Sequence, residues 1–236
     1  MLTVRRADER GHTDLGWLDS RHTFSFGSYR DPAHMGFRSL RVLNDDRVAA
    51  GQGFGAHGHR DMEILSYVLD GTLAHKDSMS ELQTLTTNEV QAMSAGSGVI
   101  HSEFNPSATE PVHFLQIWIE PAEFDLPPSY QRVCYAPAEK HGALRLLAAP
   151  VHHARESTIG LHQDAWMYAV VLEAGAALTH TVASNRHAWV HCARGDAEIN
   201  GVALHQGDAV AVSDEREVRL CGAAPGGSEL LLFDLA

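Results

Sequence analysis

The sequence has few cysteines and no long apolar run. Its 236 residues contain three widely spaced cysteines without a CxxC pair: Cys134, Cys192 and Cys221. This pattern predicts neither a disulfide framework nor a thiolate zinc site, and it favours a reducing compartment. The first twenty residues carry charges throughout, and no segment reaches the roughly eighteen apolar residues that a membrane helix needs. We therefore expect a cytoplasmic protein with no membrane partner.

Basic residues are also scarce. The chain has 18 Lys and Arg residues against 30 Asp and Glu residues, which gives a formal net charge of -12. Such a charge repels the phosphate backbone, and no run of Lys and Arg forms a local basic face. We therefore predict no direct nucleic-acid binding.

Long segments with apolar residues at helical spacing are missing, and short apolar segments recur instead between turn signals. Four of them have strand length: FRSLRVLN, EILSYVL, VHFLQIWI and WMYAVVLE. This pattern predicts an all-β sandwich or barrel rather than alternating strands and helices. Helix is expected only near residues 127–141.

A proline-rich segment, PAEFDLPPSYQRVCYAPAEKHG, divides the chain into two parts of similar size. We predict an N-terminal domain over residues 1–125, a connector over 126–142 and a C-terminal domain over 143–236. The segment ILSYVLDGTLAHKD is echoed by AWVHCARGDAEING, which indicates a structural repeat, although any two β-hairpins share much of this pattern.

Two short segments concentrate metal-ligand side chains. His57, His59, Asp61 and Glu63 follow one another at steps of two, so an extended chain would point all four side chains to one face. His101 and Glu103 are spaced in the same way. A single histidine is more often an ordinary surface or core residue, but the paired spacing favours a site of three imidazoles and one carboxylate.

These residues carry a resemblance to known motifs. The pattern G-x5-H-x-H-x3-E from Gly51 to Glu63 resembles the first cupin motif. The pattern G-x2-H-x3-N from Gly98 to Asn105 resembles the end of the second motif, with Gly96 where cupins usually have proline. Four longer segments resemble the pirin family, which includes bacterial members reported as quercetin 2,3-dioxygenases: WLDSRHTFSFGSY, MGFRSLRVLNDD, GFGAHGHRDMEILSYVLDG and MSAGSGVIHSEFNPS.

The resemblance implies a bicupin, two antiparallel β-sandwich or jelly-roll domains packed together. It also implies a single metal, usually iron and here expected as Fe(II), held by the matching residues His57, His59, His101 and Glu103. Glu63 is then an outer partner that orients an imidazole. The donor set also suits Mn(II), Co(II), Ni(II), Cu(II) or Zn(II).

The C-terminal domain is expected to have no metal site. Alignment of the two halves places Thr181 and Ala183 at the positions of the first histidine pair, and Leu220 opposite His101. Four other histidines in this half are interpreted as surface residues: His180, His187, His191 and His205. The domain is expected to pack against the N-terminal half.

The function that the resemblance implies is opening of a flavonol ring with O2 and release of CO. Glu103 is the candidate catalytic base, with Glu63 in reserve. Four apolar side chains are candidates for lining a substrate pocket, or else belong to the β core: Phe54, Met93, Phe114 and Trp118. The substrate is then a small planar aromatic molecule.

Two other functions are compatible with the same residues. The first is a pirin-like, iron-dependent redox-sensing regulatory protein that binds a protein partner without turnover. The second is a metal-dependent isomerase or hydrolase, because cupins host many chemistries. Flavonol turnover with oxygen consumption would separate the dioxygenase from both.

Overall fold

The computed structural model describes residues 1–78 and 82–236. The first half of the chain consists of short strands and one 3₁₀ helix, Ala7–Glu9. The strands are β1 (Leu2–Arg5), β2 (Gly11–Asp14), β3 (Leu18–His22), β4 (Leu40–Val48), β5 (Gly53–His59), β6 (Glu63–Asp70), β7 (Thr72–Asp77), β8 (Gln83–Thr86), β9 (Glu89–Ser94), β10 (Val99–Phe104), β11 (Val112–Ile119) and β12 (Ser129–Cys134).

The second half begins after a 3₁₀ helix, Pro137–Lys140. Its strands are β13 (Arg145–Pro150), β14 (Ile159–Leu161), β15 (Ala165–Leu172), β16 (Ala177–Thr181), β17 (His187–Arg194), β18 (Ala197–Ile199), β19 (Val202–Leu204), β20 (Ala209–Val212), β21 (Glu217–Gly222) and β22 (Ser228–Leu235). The prediction of an all-β protein is confirmed. No helix among the described residues is long and apolar enough to cross a membrane.

Each half pairs a large sheet with a small one. The first half has a seven-stranded sheet, β12-β9-β6-β11-β4-β3-β2, and a four-stranded sheet, β5-β10-β7-β8. The second half repeats this plan with β1-β20-β17-β22-β15-β13-β14 and β16-β21-β18-β19. Strand pairs are antiparallel apart from β13 and β14, which run parallel. Strand β1 pairs with β20, so the start of the chain completes the sheet of the second half.

The largest core lies between the two seven-stranded sheets. Leu65 and Leu115 of the first half belong to one buried cluster with Met167, Trp189 and Leu231 of the second. Apolar burial of this kind is the main stabilising term in folding, so the interface binds the halves strongly. The opposite faces of the large sheets pack on the small sheets and enclose separate cores.

The histidines of the second half differ in burial. His191 points into the interface and is 0% exposed, so its interpretation as a surface residue is wrong. His205 is exposed, whereas His180 and His187 are half-buried. The alternation of β17 explains the error, because His191 shares a face with the buried Trp189.

The helix expected near residues 127–141 is present only as the 3₁₀ helix Pro137–Lys140. Six residues of this segment form strand β12, which pairs with β9 at the edge of the large sheet. Prolines at 127, 128 and 137 disfavour a continuous α-helix, and the free edge of β9 offers backbone groups for pairing. The domain boundaries themselves stay a prediction.

Two glycines allow close approaches around the first small sheet. A Cβ atom at Gly53 would clash with the backbone of Glu103 on β10. Gly96 has a φ of +43°, and a Cβ there would clash with the carbonyl of Leu126. Cupins usually have proline at this position, but proline has a fixed negative φ and cannot adopt this conformation, which explains the glycine.

Candidate metal centre

Strands β5 and β10 lie side by side and bring the two predicted segments together. His101 pairs directly with His57, and an irregularity in register follows before Glu103. Along β10 the side chains alternate, so that His101 and Glu103 are buried while Ile100 is exposed. The spacing of two therefore places both predicted ligands of β10 on one face.

Three imidazoles form a compact cluster. One ring nitrogen of each of His57, His59 and His101 lies within 4.8 Å of the others, and the Nε2 atoms of His57 and His101 are 3.0 Å apart. Ligand atoms about 2.1 Å from one ion lie roughly 3 to 4 Å from one another. The cluster therefore has nearly the spacing of a coordination sphere.

The protonation of these rings suits metal binding. His57 Nδ1 donates to the carbonyl of Gly55 at 2.8 Å, which leaves the lone pair on Nε2, the atom that faces His101. Burial lowers the pKa of His59 to about 4, helped by His57. Burial likewise lowers the pKa of His101 to about 4. Neutral imidazoles are the form that binds metal ions, so these residues fit a divalent ion.

Glu103 is buried next to this cluster. Its Oε2 accepts a hydrogen bond from Gln116 Nε2 at 2.7 Å, and its Oε1 accepts from Ser66 Oγ at 3.2 Å and Gln91 Nε2 at 3.4 Å. Burial alone would raise the pKa of Glu103, but His75, His101 and Ser66 outweigh it, and the pKa lies below its ordinary value. The carboxylate is thus ionised and held in place.

The partners of Glu103 belong to a row of polar side chains that crosses the large sheet. Successive cross-strand pairs connect residues of β9, β6, β11, β4 and β3. This cross-strand polar row consists of Gln91, Ser66, Gln116, Asn44 and His22. Residues paired directly across antiparallel strands share a face, and here that face looks toward Glu103.

His75 is a candidate residue that the sequence analysis missed. It lies on β7 directly opposite Glu103, is buried, and forms a second possible ligand group with His101 and Glu103. His75 Nε2 lies 3.0 Å from Asp77 Oδ2, and its Nδ1 lies 3.5 Å from His101 Nδ1. The i, i+2 spacing of His75 and Asp77 in the sequence was the available signal.

Glu63 lies away from the imidazole cluster. The chain turns at Asp61, which has a φ of +51°, so β5 ends at His59 and β6 begins at Glu63 in the other sheet. Glu63 accepts a hydrogen bond from Ser94 Oγ at 2.7 Å and lies 3.3 Å from His162 Nδ1. The structure therefore does not bring Glu63 to the histidines that it was expected to orient.

A cavity of about 530 Å³ opens beside the cluster. His57, His59 and Glu103 line it together with Phe54 and Trp118, two of the predicted pocket residues. The other two, Met93 and Phe114, are fully buried in apolar clusters and belong to the core.

Comparisons with known proteins indicate one family over the whole chain. Residues 3–119 match the pirin family, and residues 146–235 match a family described as the quercetinase C-terminal cupin domain. The sequence is 45% identical over 235 residues to quercetin 2,3-dioxygenase of Escherichia coli K12, covering 100% of this chain and 99% of that protein. The chain belongs to the pirin family. The resemblance found in the sequence is thereby confirmed.

Two solved structures of a pirin-family relative are similar to this chain. YhhW from Escherichia coli has a TM-score of 0.94 and 44% identity, covering 100% of this chain and 98% of that one. Bacterial pirin YhhW in complex with nickel(II) has a TM-score of 0.92 and 45% identity, with coverage of 100% and 99%. The bicupin fold predicted for this pirin-family chain is confirmed.

The family comparison and the geometry agree on metal binding. A relative with nearly half of its residues identical is described in complex with nickel(II), and this chain clusters three imidazoles beside an ionised carboxylate. Nitrogen and oxygen donors without thiolates suit a divalent transition metal. Together they support a divalent metal in the first half of this pirin-family chain.

Proposed function

We propose that this chain is a metal-dependent dioxygenase that opens the central ring of a flavonol with O2 and releases CO. The observation that carries the proposal is the position of His57, His59 and Glu103 on the wall of the 530 Å³ cavity, beside aromatic side chains. Ligand sites are commonly cavities of about 300 to 1,000 Å³ with apolar walls and a few polar groups. Relatives at 45% identity carry the name quercetin 2,3-dioxygenase.

In this proposal His57, His59, His101 and Glu103 hold one metal ion, which we propose to be Fe(II). When bound, the metal supplies the Lewis acidity and the redox chemistry with dioxygen that the reaction requires. The geometric support is that His57, His59 and His101 form one possible ligand group, while Glu103 forms a second, neighbouring group with His75 and His101.

Glu103 is proposed as the base that accepts the proton of the flavonol 3-hydroxyl group. Its pKa lies below the ordinary value, so it carries no proton at neutral pH, and it lines the cavity. Hydrogen bonds from Ser66, Gln91 and Gln116 orient both carboxylate oxygens. Aromatic walls at Phe54 and Trp118 would hold a planar ring and exclude water.

The first test is anaerobic loading with Fe(II), followed by quercetin and then air. We expect oxygen uptake and metal-dependent release of CO, both lost in Glu103→Ala. His101→Ala is expected to lose stoichiometric metal as well, because it removes a central ligand. Metal binding at full stoichiometry without oxygen uptake would reject the dioxygenase proposal and favour the regulatory protein.

A further inference from the structure

The wall of the cavity has a second polar region besides His57, His59 and Glu103. It is formed by strands β2, β3 and β4, where Thr13, His22 and Asn44 are joined by hydrogen bonds. His22 Nδ1 lies 2.9 Å from Asn44 Oδ1, and His22 Nε2 lies 2.9 Å from Thr13 Oγ1. These contacts use both ring nitrogens of His22 and fix this part of the wall.

Asp46 is the exception in this region. It lies two residues beyond Asn44 on the same face of β4, lines the cavity and is only 4% exposed. Among the described residues, no hydrogen-bond donor reaches its Oδ1 atom. A buried carboxylate oxygen without a donor is unfavourable, so this atom is suited to a donor that enters the cavity.

The surroundings of Asp46 indicate what such a donor is attached to. Two edge-to-face aromatic pairs flank the cavity, Trp17 with Phe54 and Phe26 with Trp118, each with ring centroids 5.4 Å apart. Burial also raises the pKa of Asp46 to about 7, an effect that Ser20 partly offsets. An apolar enclosure with one unpaired polar atom fits an aromatic ring bearing a hydroxyl group.

We propose that Asp46 Oδ1 accepts a hydrogen bond from a phenolic hydroxyl group of the substrate other than the 3-hydroxyl, and so selects hydroxylated flavonols. The identity of the ligand rests on the proposed function, whereas the need of Asp46 for a donor does not. A site built to bind a hydroxyl group rejects the analogue without it, because its buried acceptor is then left unpaired.

The test compares quercetin with 3-hydroxyflavone, which has the same skeleton without the other hydroxyl groups. Dissociation constants are measured anaerobically by calorimetry on metal-loaded protein, so that no turnover is needed. We expect the wild type to bind quercetin about tenfold or more tightly than 3-hydroxyflavone. In Asp46→Ala the preference should disappear through weaker binding of quercetin, with affinity for 3-hydroxyflavone and metal content unchanged.

Two further variants sharpen the comparison. Asp46→Asn keeps one acceptor oxygen and should keep part of the preference. Asp19→Ala removes a carboxylate from β3 that is 46% exposed and should leave the preference intact. The proposal is overturned if Asp46→Ala keeps the wild-type preference for quercetin. It is also overturned if the wild type binds the two flavonols equally, and this second comparison does not require the alanine variant to fold.

These outcomes are separate from those of the proposed function. If hydroxyl selection by Asp46 is found but no oxygen is consumed, the cavity binds flavonols and the dioxygenase proposal fails alone. If CO is released but the Asp46 variants bind both flavonols as the wild type does, the inference about Asp46 fails alone.

Discussion

His101 contacts another histidine through each of its ring nitrogens. Its Nε2 faces Nε2 of His57, and its Nδ1 lies 3.5 Å from Nδ1 of His75. If the Nε2 atoms bind a metal, the His101 proton sits on Nδ1 and is donated to His75, whose own Nε2 proton is donated to Asp77 at 3.0 Å. With that set of protons, His75 would orient His101 as a metal ligand, the kind of role that the sequence analysis expected of Glu63.

Gln116 has the corresponding position for the carboxylate. Its amide nitrogen donates to Glu103 Oε2 at 2.7 Å, and its amide oxygen lies 2.9 Å from Ser66 Oγ, whose one proton serves either this oxygen or Glu103 Oε1. Gln116→Leu removes the amide at nearly constant volume, so Glu103 loses its shortest hydrogen bond. We expect metal affinity to fall about 10- to 100-fold, measured by anaerobic titration with Fe(II).

The matched control is Gln163→Leu. Gln163 is half-buried, and its amide nitrogen donates to the carbonyl of Glu120 rather than to Glu103. This variant should bind metal as the wild type does. Equal affinity in Gln116→Leu and Gln163→Leu, with native circular dichroism in both, would show that Gln116 does not position Glu103.

For the strands, the sequence predicted which side chains of one segment share a face, but not which strands pair with each other. The i, i+2 spacing correctly placed His101 and Glu103 on one face of β10. The same rule failed for Glu63 because a turn at Asp61 separates β5 from β6. The cross-strand polar row was not predicted for a related reason. Its hydrogen-bonded members are 22 to 50 residues apart in the sequence, and only the register of the strands brings them together.

The segment between the halves is held by a buried ion pair that the sequence analysis did not predict. Lys140 Nζ, in the 3₁₀ helix, donates to Glu229 Oε1 of β22 at 2.6 Å and to the hydroxyl of Tyr67 on β6 at 3.0 Å. All three residues are buried, and Tyr67 also donates to Glu229. Three elements that are distant in sequence therefore meet at one carboxylate.

Lys140→Ala is expected to destabilise the protein by about 3 kcal/mol, because it leaves a buried carboxylate without its closest cation. The double variant Lys140→Met with Glu229→Gln should recover much of this loss, since it removes both charges. Urea unfolding measures both. Lys76→Ala, at an exposed position on β7, should change stability by less than about 0.5 kcal/mol. A similar small change in Lys140→Ala would contradict the assignment.

At the scale of the whole molecule, the two halves share one interior. The large sheets bury a common apolar cluster, and β1 crosses to the sheet of the second half. Polar residues are enclosed in the same interface: Arg10 and Asp45 form an ion pair at 3.4 Å, and His113 Nε2 lies 2.7 Å from Asp45. His191 lies near these charges, and neither of its ring nitrogens has a hydrogen-bond partner among the described residues.

His191 makes the stability of the assembled halves depend on pH. Burial lowers its pKa to about 3 in the folded protein, whereas an unperturbed histidine titrates near about 6.5. Between these values the unfolded chain binds a proton that the folded protein does not, so stability falls as pH decreases below about 6.5, by up to about 1.4 kcal/mol per pH unit. His191→Leu should remove this share of the slope between pH 7.5 and pH 5 in urea unfolding at fixed metal concentration. The control His205→Leu, at an exposed position, should leave the dependence of stability on pH unchanged. Identical pH dependence in the wild type and His191→Leu would mean that the buried imidazole takes up its proton without opening the interface.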